Sequence, residues 1–220
     1  MKRLIKWCLK KFAPDILVLF RIYRHQLRDK NSYLNVTGWT QSIAENRPCQ
    51  LDGSFVPWMN YQVIALFRQR LDKHMRLFEY GSGYSTLFFS KLVGDVVSLE
   101  YNPGWYDKIS REVPQNAKVV LVKNDIDGEY CRAIRGFDGL FDVVVVDGRD
   151  RVNCIKQALG KLDEAGVIVL DDSHRERYQE GIKYAVSQGF KRLELEGLKP
   201  AEYGMDRTTI LYRNKNCLNL

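Results

Sequence analysis

Acidic side chains recur at regular places from residue 79 to residue 172 of this 220-residue sequence. Each lies at the end of a short run rich in β-branched and aromatic residues, and the acids concerned are Glu79, Glu100, Asp125, Asp147 and the pair Asp171 and Asp172. Ligands of an open α/β sheet bind beyond the carboxyl ends of its strands, so we expect these carboxylates to share one site. Aspartate also favours turns and helix N-caps, which would account for one or two of these acids but less easily for all five positions.

A glycine turn follows the first of these runs. Gly81 and Gly83, separated by Ser82, permit a tight turn and the close approach of a ligand to the backbone. Glu100, seventeen residues beyond Gly83, is placed to accept hydrogen bonds from both hydroxyls of a ribose. The turn alone is a weak signal, but together with the acids it predicts a site for a nucleoside-containing ligand.

Two features of the turn separate the candidate ligands. A dinucleotide site carries a third glycine that lets the helix approach the strand, and Thr86 stands at that position. Glu79, beside the turn, would repel a pyrophosphate but attract an ammonium group. S-adenosylmethionine is an adenosine attached to an amino acid. It supplies an ammonium group, a ribose diol and an adenine amine, and it is the ligand that fits these residues.

The runs that carry the acids alternate with helical stretches. The predicted strands are Arg76–Tyr80, Val96–Glu100, Lys118–Val122, Phe141–Val146, Gly166–Leu170, Lys191–Leu195 and Thr208–Tyr212. The fourth and fifth are almost continuously apolar, as central parallel strands are. The pattern predicts an α/β fold with a doubly wound, mainly parallel seven-stranded sheet. The last connection, 196–207, has no strong helical pattern, which predicts a reversed last strand.

The sequence before the sheet divides into three parts. Pro57–Leu71 has the pattern of a helix, and we place the α/β domain at 57–220. Residues 31–56, with glycines, a proline and several polar residues, predict an irregular cap or linker. Residues 1–30 form an amphipathic pattern that predicts a helical arm, with Leu4, Ile5, Cys8, Leu9 and Phe12 on one face.

The net charge of +7 resides in this arm. Residues 1–30 hold nine Lys and Arg against two acids, whereas residues 31–220 hold 25 of each. A nucleic-acid-binding domain would carry its positive field on its own surface, so we predict no nucleic-acid partner. The arm fits either an anionic membrane surface or packing against the domain or a second subunit, as in a homo-oligomer.

Cysteine usage and hydropathy bear on the compartment. The five cysteines are an odd number without a C-x-x-C pair, which argues against a disulfide scaffold or a zinc finger. No apolar run approaches the roughly 20 residues that span a bilayer. The N-terminus imitates a secretory signal but has an apolar run of only five residues and no small-residue cleavage site. We therefore expect a cytoplasmic protein, either free or peripheral at the inner face of the membrane.

These motifs resemble those of class I S-adenosylmethionine-dependent methyltransferases. The similarity covers about residues 57–213 and rests on Glu-x-Gly-x-Gly after strand one, acids after strands two and three, and the reversed last strand. It implies a Rossmann-like fold and methyl transfer to a hydroxyl of a small molecule or glycan. By position, Gly81, Ser82 and Gly83 would line the methionine part with Glu79 close by, Glu100 would hold the ribose, Asp125 would lie on the adenine side, and Asp147 would border the cofactor.

The second half is similar to the catechol-type and macrocin-type O-methyltransferases. Their metal-binding acids correspond to Asp147, Asp171 and Asp172, which implies Mg²⁺ that would lower the pKa of a coordinated hydroxyl. Alternatively, His174 acts as a general base. The arginines that follow Asp147 would repel a bound cation, which counts against the metal route without excluding it. Metal activation and a general base therefore both stay open, with His174 and Asp147 as the catalytic candidates.

Arg149 and Arg151 follow strand four, where an acceptor would approach. Arginine pairs with carboxylate or phosphate through two hydrogen bonds, so these residues are candidates for substrate binding. Ion pairing with Asp150 or Asp171 is the simpler interpretation. Two further function classes compete with methyl transfer: an oxidoreductase linked to NAD or a nucleotide sugar, and a non-catalytic binding module that docks through the arm. Thr86 and the acid-rich strand ends count against the first, and the complete set of acids against the second.

Overall fold

The computed structural model describes residues 7, 11 and 13–220. The strands are β1 (Arg76–Tyr80), β2 (Asp95–Glu100), β3 (Ala117–Leu121), β4 (Phe141–Val146), β5 (Leu162–Leu170), β6 (Lys191–Leu198) and β7 (Met205–Tyr212). The helices are α1 (Pro14–Ile22), α2 (Tyr33–Val36), α3 (Trp39–Glu45), α4 (Tyr61–Arg70), α5 (Tyr84–Leu92), α6 (Pro103–Glu112), α7 (Glu129–Arg132), α8 (Arg151–Ala158) and α9 (Gln179–Ser187). A π-helical turn at Tyr23–Leu27 and 3₁₀ turns at Ala133–Gly136 and Glu176–Tyr178 complete the elements.

All seven strands form one sheet in the order β3-β2-β1-β4-β5-β7-β6. The first five strands pair in parallel, and β7 runs antiparallel to both β5 and β6. The predicted mainly parallel sheet with a reversed last strand is therefore confirmed. The order reverses at β1 and β4, so the loops that leave these two strands diverge and open a crevice at their carboxyl ends.

Alternate side chains of the central strands enter two apolar cores, one on each face of the sheet. On β4, Val144 and Val146 belong to one core, whereas Val143 and Val145 belong to the other. All four are fully buried. The near-continuous apolar sequence of β4 follows from this burial on both faces, since a strand covered by helices on both sides has no solvent-facing positions. The rigid sheet is the base from which the strand-end side chains project.

The observed elements differ from the predicted ones at their ends. The predicted helix Pro57–Leu71 begins only at Tyr61, because the Asn60 side chain accepts a hydrogen bond from the Val63 N–H and caps the helix. The fifth strand starts at Leu162, before the predicted Gly166, and the ladder between β4 and β5 shifts register near its start. The stretch 31–56, predicted to be irregular, contains helices α2 and α3.

The apolar side chains of α1 lie open to solvent. None of its residues is buried, and Leu19 and Phe20 are 64% and 58% exposed. Within the described part of the chain, α1 thus has no packed apolar face against the domain. The predicted apolar face at Leu4, Ile5, Cys8, Leu9 and Phe12 lies outside the described residues. In the part of the chain that the structure describes, no helix has the length and apolarity that a membrane span requires.

Candidate functional site

An open cleft of about 770 Å³ lies at the carboxyl ends of the parallel strands. Its lining comes from the loops after β1, β2 and β4 (residues 81–83, 100–102 and 147–152), together with Arg175, Arg177 and Tyr178 from the loop after β5. The cleft therefore lies where the strand order reverses, which is where open α/β sheets bind their ligands.

The loops after β1 and β4 touch at two glycines. Gly81 has φ +101°, and a Cβ on it would lie 2.9 Å from the backbone of Gly148. A Cβ on Gly148 would lie 2.0 Å from the hydroxyl of Tyr130. Gly83 has extended backbone, and its Cβ would meet nothing closer than 3.7 Å. Gly81 and Gly148 are thus required by packing, whereas a Cβ on Gly83 would make only ordinary van der Waals contacts.

Glu79 lies behind the glycine turn and is fully buried. Its carboxylate accepts hydrogen bonds from Ser85 Oγ, from Thr86 Oγ1 at 2.6 Å and from Ser98 Oγ at 2.7 Å. Burial raises the pKa of Glu79 to about 7, against the opposing effect of these hydroxyl donors. The sequence suggested that Glu79 faces the ligand, but the structure places it under the loop, where it holds the start of α5.

Thr86 has a structural task at the position of the missing third glycine. Its hydroxyl donates to Glu79 and also accepts a hydrogen bond from the Gly83 N–H at 3.0 Å. One side chain therefore satisfies a free backbone donor at the start of the helix and ties the turn to β1. The departure from a three-glycine pattern is explained by this double contact.

Glu100 forms the second wall of the cleft and is held rigidly. Oε1 accepts hydrogen bonds from the backbone N–H groups of Tyr101 at 2.9 Å and Asn102 at 2.8 Å. Oε2 accepts one from Ser82 Oγ at 2.9 Å. The indole N–H of Trp105 donates to the Ser82 carbonyl at 2.8 Å, which joins the loops after β1 and β2. Glu100 is thus fixed at the cleft with lone pairs left for a ligand.

Asp125 does not line the cleft. Its two carboxylate oxygens accept hydrogen bonds from the backbone N–H groups of Glu129 at 2.8 Å and Tyr130 at 3.0 Å, at the start of α7. These hydrogen bonds lower the pKa of Asp125. The structure supports, for this acid, the helix-capping alternative that the sequence left open for one or two of the strand-end acids.

Asp147, Asp171 and Asp172 do come together, with one oxygen of each within 4.8 Å of the others. Two cations already occupy this cluster. Lys199 Nζ lies 2.8 Å from both Asp171 and Asp172, and its side chain is only 6% exposed. Arg151 Nη2 lies 2.9 Å from Asp147 and 3.3 Å from Asp172.

The cluster does not fit Mg²⁺. A hard divalent cation needs free carboxylate oxygens, but here an ammonium and a guanidinium neutralise them from inside the protein. Asp171 further accepts a hydrogen bond from Thr208 Oγ1 at 2.6 Å. Burial opposes ionisation of Asp172, yet Lys199 and Arg151 overcome it and lower its pKa. The predicted metal site is therefore an internal salt-bridge network, and no chemical step is assigned to a metal.

Arg151 belongs to this network and not to the substrate face of the cleft. Its side chain is 8% exposed, and its guanidinium donates to the carbonyl groups of Asp147, Gly148 and Asp171 at 2.6–3.0 Å. With every edge of the guanidinium engaged, no pair of donors is left for a substrate anion. The ion-pairing interpretation of Arg151 therefore applies, although its partners are Asp147 and Asp172 and not the predicted Asp150 or Asp171, of which Asp171 contributes only its backbone carbonyl.

Asp147 keeps one side open to the cleft. About a quarter of its side chain is exposed, and it lines the cavity beside the glycine turn. Burial raises the pKa of Asp147 to about 8, an effect that the Arg151 charge offsets only in part. A carboxylate with a pKa near neutrality is suited to taking up a proton from a hydroxyl.

His174 and Arg149, both predicted site residues, differ in their position relative to the cleft. His174 does not line the cleft, and its Nδ1 lies 3.0 Å from Asp206 Oδ1 on β7. Arg149 does line it and is exposed, with its guanidinium 4.9 Å from the ring centre of Tyr101. The structure thus brings Arg149 to the cleft and leaves His174 outside it.

Several lining residues were missed by sequence reasoning. Trp105 follows Glu100 closely, so an aromatic residue just after an acid-ended strand was an available signal. Arg175, Arg177 and Tyr178 follow the Asp171–Asp172 pair, and their position shortly after an acid-ended strand was a similar signal. Lys199 lies in a loop 28 and 27 residues beyond Asp171 and Asp172, and nothing local marks it as their partner.

Comparison with solved structures identifies the fold. Over 69% of this chain and 87% of the other, the structure is similar to a precorrin-6y C5,15-methyltransferase from Geobacter metallireducens, with a TM-score of 0.54 and 17% identity. It is also similar to an rRNA methylase from Streptococcus thermophilus (TM-score 0.52, 12% identity, 68% and 92% covered). A putative methyltransferase from Streptococcus mutans in complex with SAH, S-adenosylhomocysteine, matches with a TM-score of 0.50 and 14% identity over 67% and 94%. The chain has the class I methyltransferase fold.

The comparisons leave the acceptor open. No protein-family model matches the sequence, and no curated protein matches it significantly. Of the methyltransferase-fold proteins named above, one is named a precorrin methyltransferase and another an rRNA methylase. The fold therefore gives no support for the exclusion of nucleic acid, which rests on the charge distribution of the sequence alone.

Proposed function

We propose that this protein transfers a methyl group from S-adenosylmethionine to a hydroxyl of an acceptor. The observation that carries the proposal is the joint placement of the Gly81–Gly83 turn and Glu100 on one cleft of a methyltransferase-fold sheet. The turn lines the cleft beside the place proposed for the methionine part, and Glu100 offers an oriented carboxylate for the ribose diol. The similar solved structure that contains S-adenosylhomocysteine agrees with this ligand.

In this proposal Glu79 and Asp125, also predicted to bind the cofactor, position other residues of the cleft. Glu79 holds Ser85 and Thr86 beneath the turn, and Asp125 anchors the segment that carries Tyr130 under Gly148. Both are positioning residues that set the shape of the loops without touching the ligand. An oxidoreductase with NAD or a nucleotide sugar is not favoured, because the similar solved structures named here are methyltransferases.

Asp147 is the base of the proposed reaction. The acceptor oxygen attacks the methyl carbon in line with the C–S bond, which breaks and leaves its electron pair on sulfur as S-adenosylhomocysteine forms. The hydroxyl proton passes to the Asp147 carboxylate and then to solvent. Arg151, 2.9 Å from Asp147, holds the carboxylate towards the cleft. Once ionised, the Asp147 carboxylate also attracts the sulfonium of the cofactor.

Calorimetry with S-adenosylhomocysteine tests the proposal. We expect the purified protein to bind with a Kd between about 1 μM and 1 mM, the usual range for enzyme ligands. Glu100→Ala is expected to weaken binding about tenfold or more through loss of charge-assisted hydrogen bonds to the ribose. Glu112→Ala, an exposed residue at the end of α6, is the matched control. Absence of binding at about 1 mM, with the protein folded, would overturn the function.

The acceptor is proposed to be a small molecule or glycan that carries a hydroxyl. The charge balance of residues 31–220 supports this over a polyanionic RNA. An RNA acceptor remains the outcome to test against, because one similar structure is an rRNA methylase. Incubation with labelled S-adenosylmethionine and either total RNA or a mixture of sugars would decide between them by the fraction that takes up label.

The arm at residues 1–30 is proposed to dock the enzyme on an anionic membrane surface or on a second subunit. The exposed apolar side chains of α1 and the arginines at 21, 24 and 28 support an association of this kind. Flotation with vesicles of mixed neutral and anionic lipid, compared with light scattering of the protein alone, separates the two partners. If deletion of residues 1–30 changes neither vesicle binding nor the oligomeric state, neither docking role of the arm holds.

A further inference from the structure

The rim of the cleft carries three exposed arginines on two neighbouring loops. Arg149 follows β4, and Arg175 and Arg177 follow β5. The buried Arg151 is excluded from this group because its guanidinium is fully engaged by backbone carbonyls and carboxylates. A guanidinium group that lines a cavity and faces solvent has donors that water occupies. A ligand can displace this water and accept those hydrogen bonds.

The acids of the cleft do not neutralise this rim. Glu100 is engaged by two backbone N–H groups and Ser82, and Asp147 by Arg151. Asp150 accepts hydrogen bonds from the Asp127 N–H at 2.8 Å and from Asn153 Nδ2 at 2.9 Å. Each carboxylate therefore already has partners of its own.

The two arginines after β5 are held in place but keep donors free. Arg175 gives one nitrogen, Nη2, to Asp172 at 2.8 Å, and Asp172 is itself anchored by Lys199. Arg177 lies with its guanidinium carbon 4.9 Å from the ring centre of Tyr178, and no carboxylate within residues 13–220 forms a salt bridge with it. The ion pair restrains Arg175 and so reduces the entropy that this side chain loses when a ligand binds.

We propose that Arg175 and Arg177 bind an anionic group of the methyl acceptor, a carboxylate or a phosphate. This inference rests on the proposed methyl transfer and names the chemical class of its substrate. A guanidinium edge matches the two oxygens of such a group, and two guanidinium groups lining the same cleft select against neutral acceptors. Arg149 contacts Tyr101 after β2, on the side of the cleft where Glu100 lies. It is therefore assigned to the cofactor end of the cleft and not to the anion site.

Three sugars that differ in charge test the proposal. Glucuronate, glucose 6-phosphate and glucose are titrated calorimetrically into the protein saturated with S-adenosylhomocysteine. We expect at least one of the two anions to bind about tenfold or more tightly than glucose, because charge-assisted hydrogen bonds strengthen only the anionic complexes. The double variant Arg175→Gln/Arg177→Gln is expected to lose this preference. Arg70→Gln, an exposed arginine at the end of α4, is the matched control and keeps it.

The outcomes separate this proposal from the proposed function. Failure of the wild-type protein to bind S-adenosylhomocysteine overturns the function, whatever the sugars do. Binding of S-adenosylhomocysteine with equal affinities for glucose and the two anions, or with no binding of any sugar, overturns the anionic acceptor alone. Retention of the anion preference in the double variant assigns the preference to other residues and also overturns the proposal. The S-adenosylhomocysteine affinity of the double variant, expected within about threefold of wild type, shows that it folds.

Discussion

The Lys199 ammonium lies 2.8 Å from Oδ2 of Asp171, although only 6% and 1% of the two side chains are exposed. Lys199 also reaches Asp172 at 2.8 Å and Asp206 at 3.0 Å. One buried cation thus joins the end of β5 to β7. Its carboxylate neighbours raise the pKa of Lys199 in spite of its burial, so it stays charged at neutral pH.

Replacement of Lys199 is therefore expected to destabilise the protein. Lys199→Met leaves buried carboxylates without their cation, and we expect the free energy of unfolding to fall by about 3–5 kcal/mol in urea denaturation at pH 7. Lys191→Met, at an exposed position on the outer strand β6, should change it by about 0.5 kcal/mol or less. Similar losses in both variants would show that the internal network contributes nothing specific.

Glu79 is expected to give stability a pH dependence of known sign. Its pKa in the folded protein, about 7, lies above the ordinary value of 4.5. The folded state therefore holds the proton more tightly than the unfolded chain, and the free energy of unfolding decreases as pH rises from 4.5 to 7. Glu79→Gln should remove that decrease, which amounts to about 3 kcal/mol.

Denaturation curves of wild type and Glu79→Gln at pH 4.5, 6 and 7.5 measure this difference. The variant should gain relative to wild type as pH rises, and the exposed Glu112→Gln should follow wild type throughout. Curves for Glu79→Gln that stay parallel to wild type would contradict the assignment.

The two glycines of the turn are expected to respond differently to a methyl group. Gly81→Ala places a Cβ at positive φ, 2.9 Å from the backbone of Gly148, and should cost about 1–3 kcal/mol of stability. Gly83→Ala, with extended backbone and 3.7 Å to the nearest atom, should change stability by less than about 1 kcal/mol. Thermal unfolding of both variants gives the comparison, and an equal loss would refute the packing argument.

The proposed base makes a prediction that needs no acceptor. The Asp147 carboxyl is expected to titrate near pH 8, well above an ordinary aspartate, because it is buried. Carbon NMR of protein labelled at the aspartate carboxyl groups measures the midpoint, and Asp147→Asn identifies the signal by its loss. Methyl transfer should then accelerate as pH rises through this range, since the base must be ionised. A midpoint near pH 4 would argue against the role.

Strand-by-strand alternation predicted the sheet well because each strand carries its own signal. β4 is found at Phe141–Val146, as its continuous apolar run indicates. The reversed pairing of β6 with β7 was also predictable, because the connection between them is too irregular for a crossover helix. The start of β5 was missed, since Leu162–Ala165 pairs only through a register shift that no local pattern encodes.

The site was predicted less completely because its contacts join distant parts of the chain. The sequence marks Asp171 and Asp172 as acids at a strand end, but their partner Lys199 lies 27 or more residues away. The same pair of acids, without a visible cation, suggests a metal. Asp125 shows the converse difficulty: the residue type fits both a ligand and a helix cap, and only the position of α7 decides between them.

The insertion of β7 between β5 and β6 has a consequence for the order in which the molecule is assembled. Asp171 receives its hydrogen bond from Thr208, and Ser173 donates to the Arg207 carbonyl at 2.8 Å, both on the strand that is synthesised last. In a nascent chain that has emerged only as far as β6, the edge of β5 that pairs with β7 is unpaired. Asp171 and Ser173 then lack their partners Thr208 and Arg207. The hydrogen bonds of Asp171 and Ser173 to β7 are therefore completed only after translation has passed residue 212, when β7 pairs with β5 and β6.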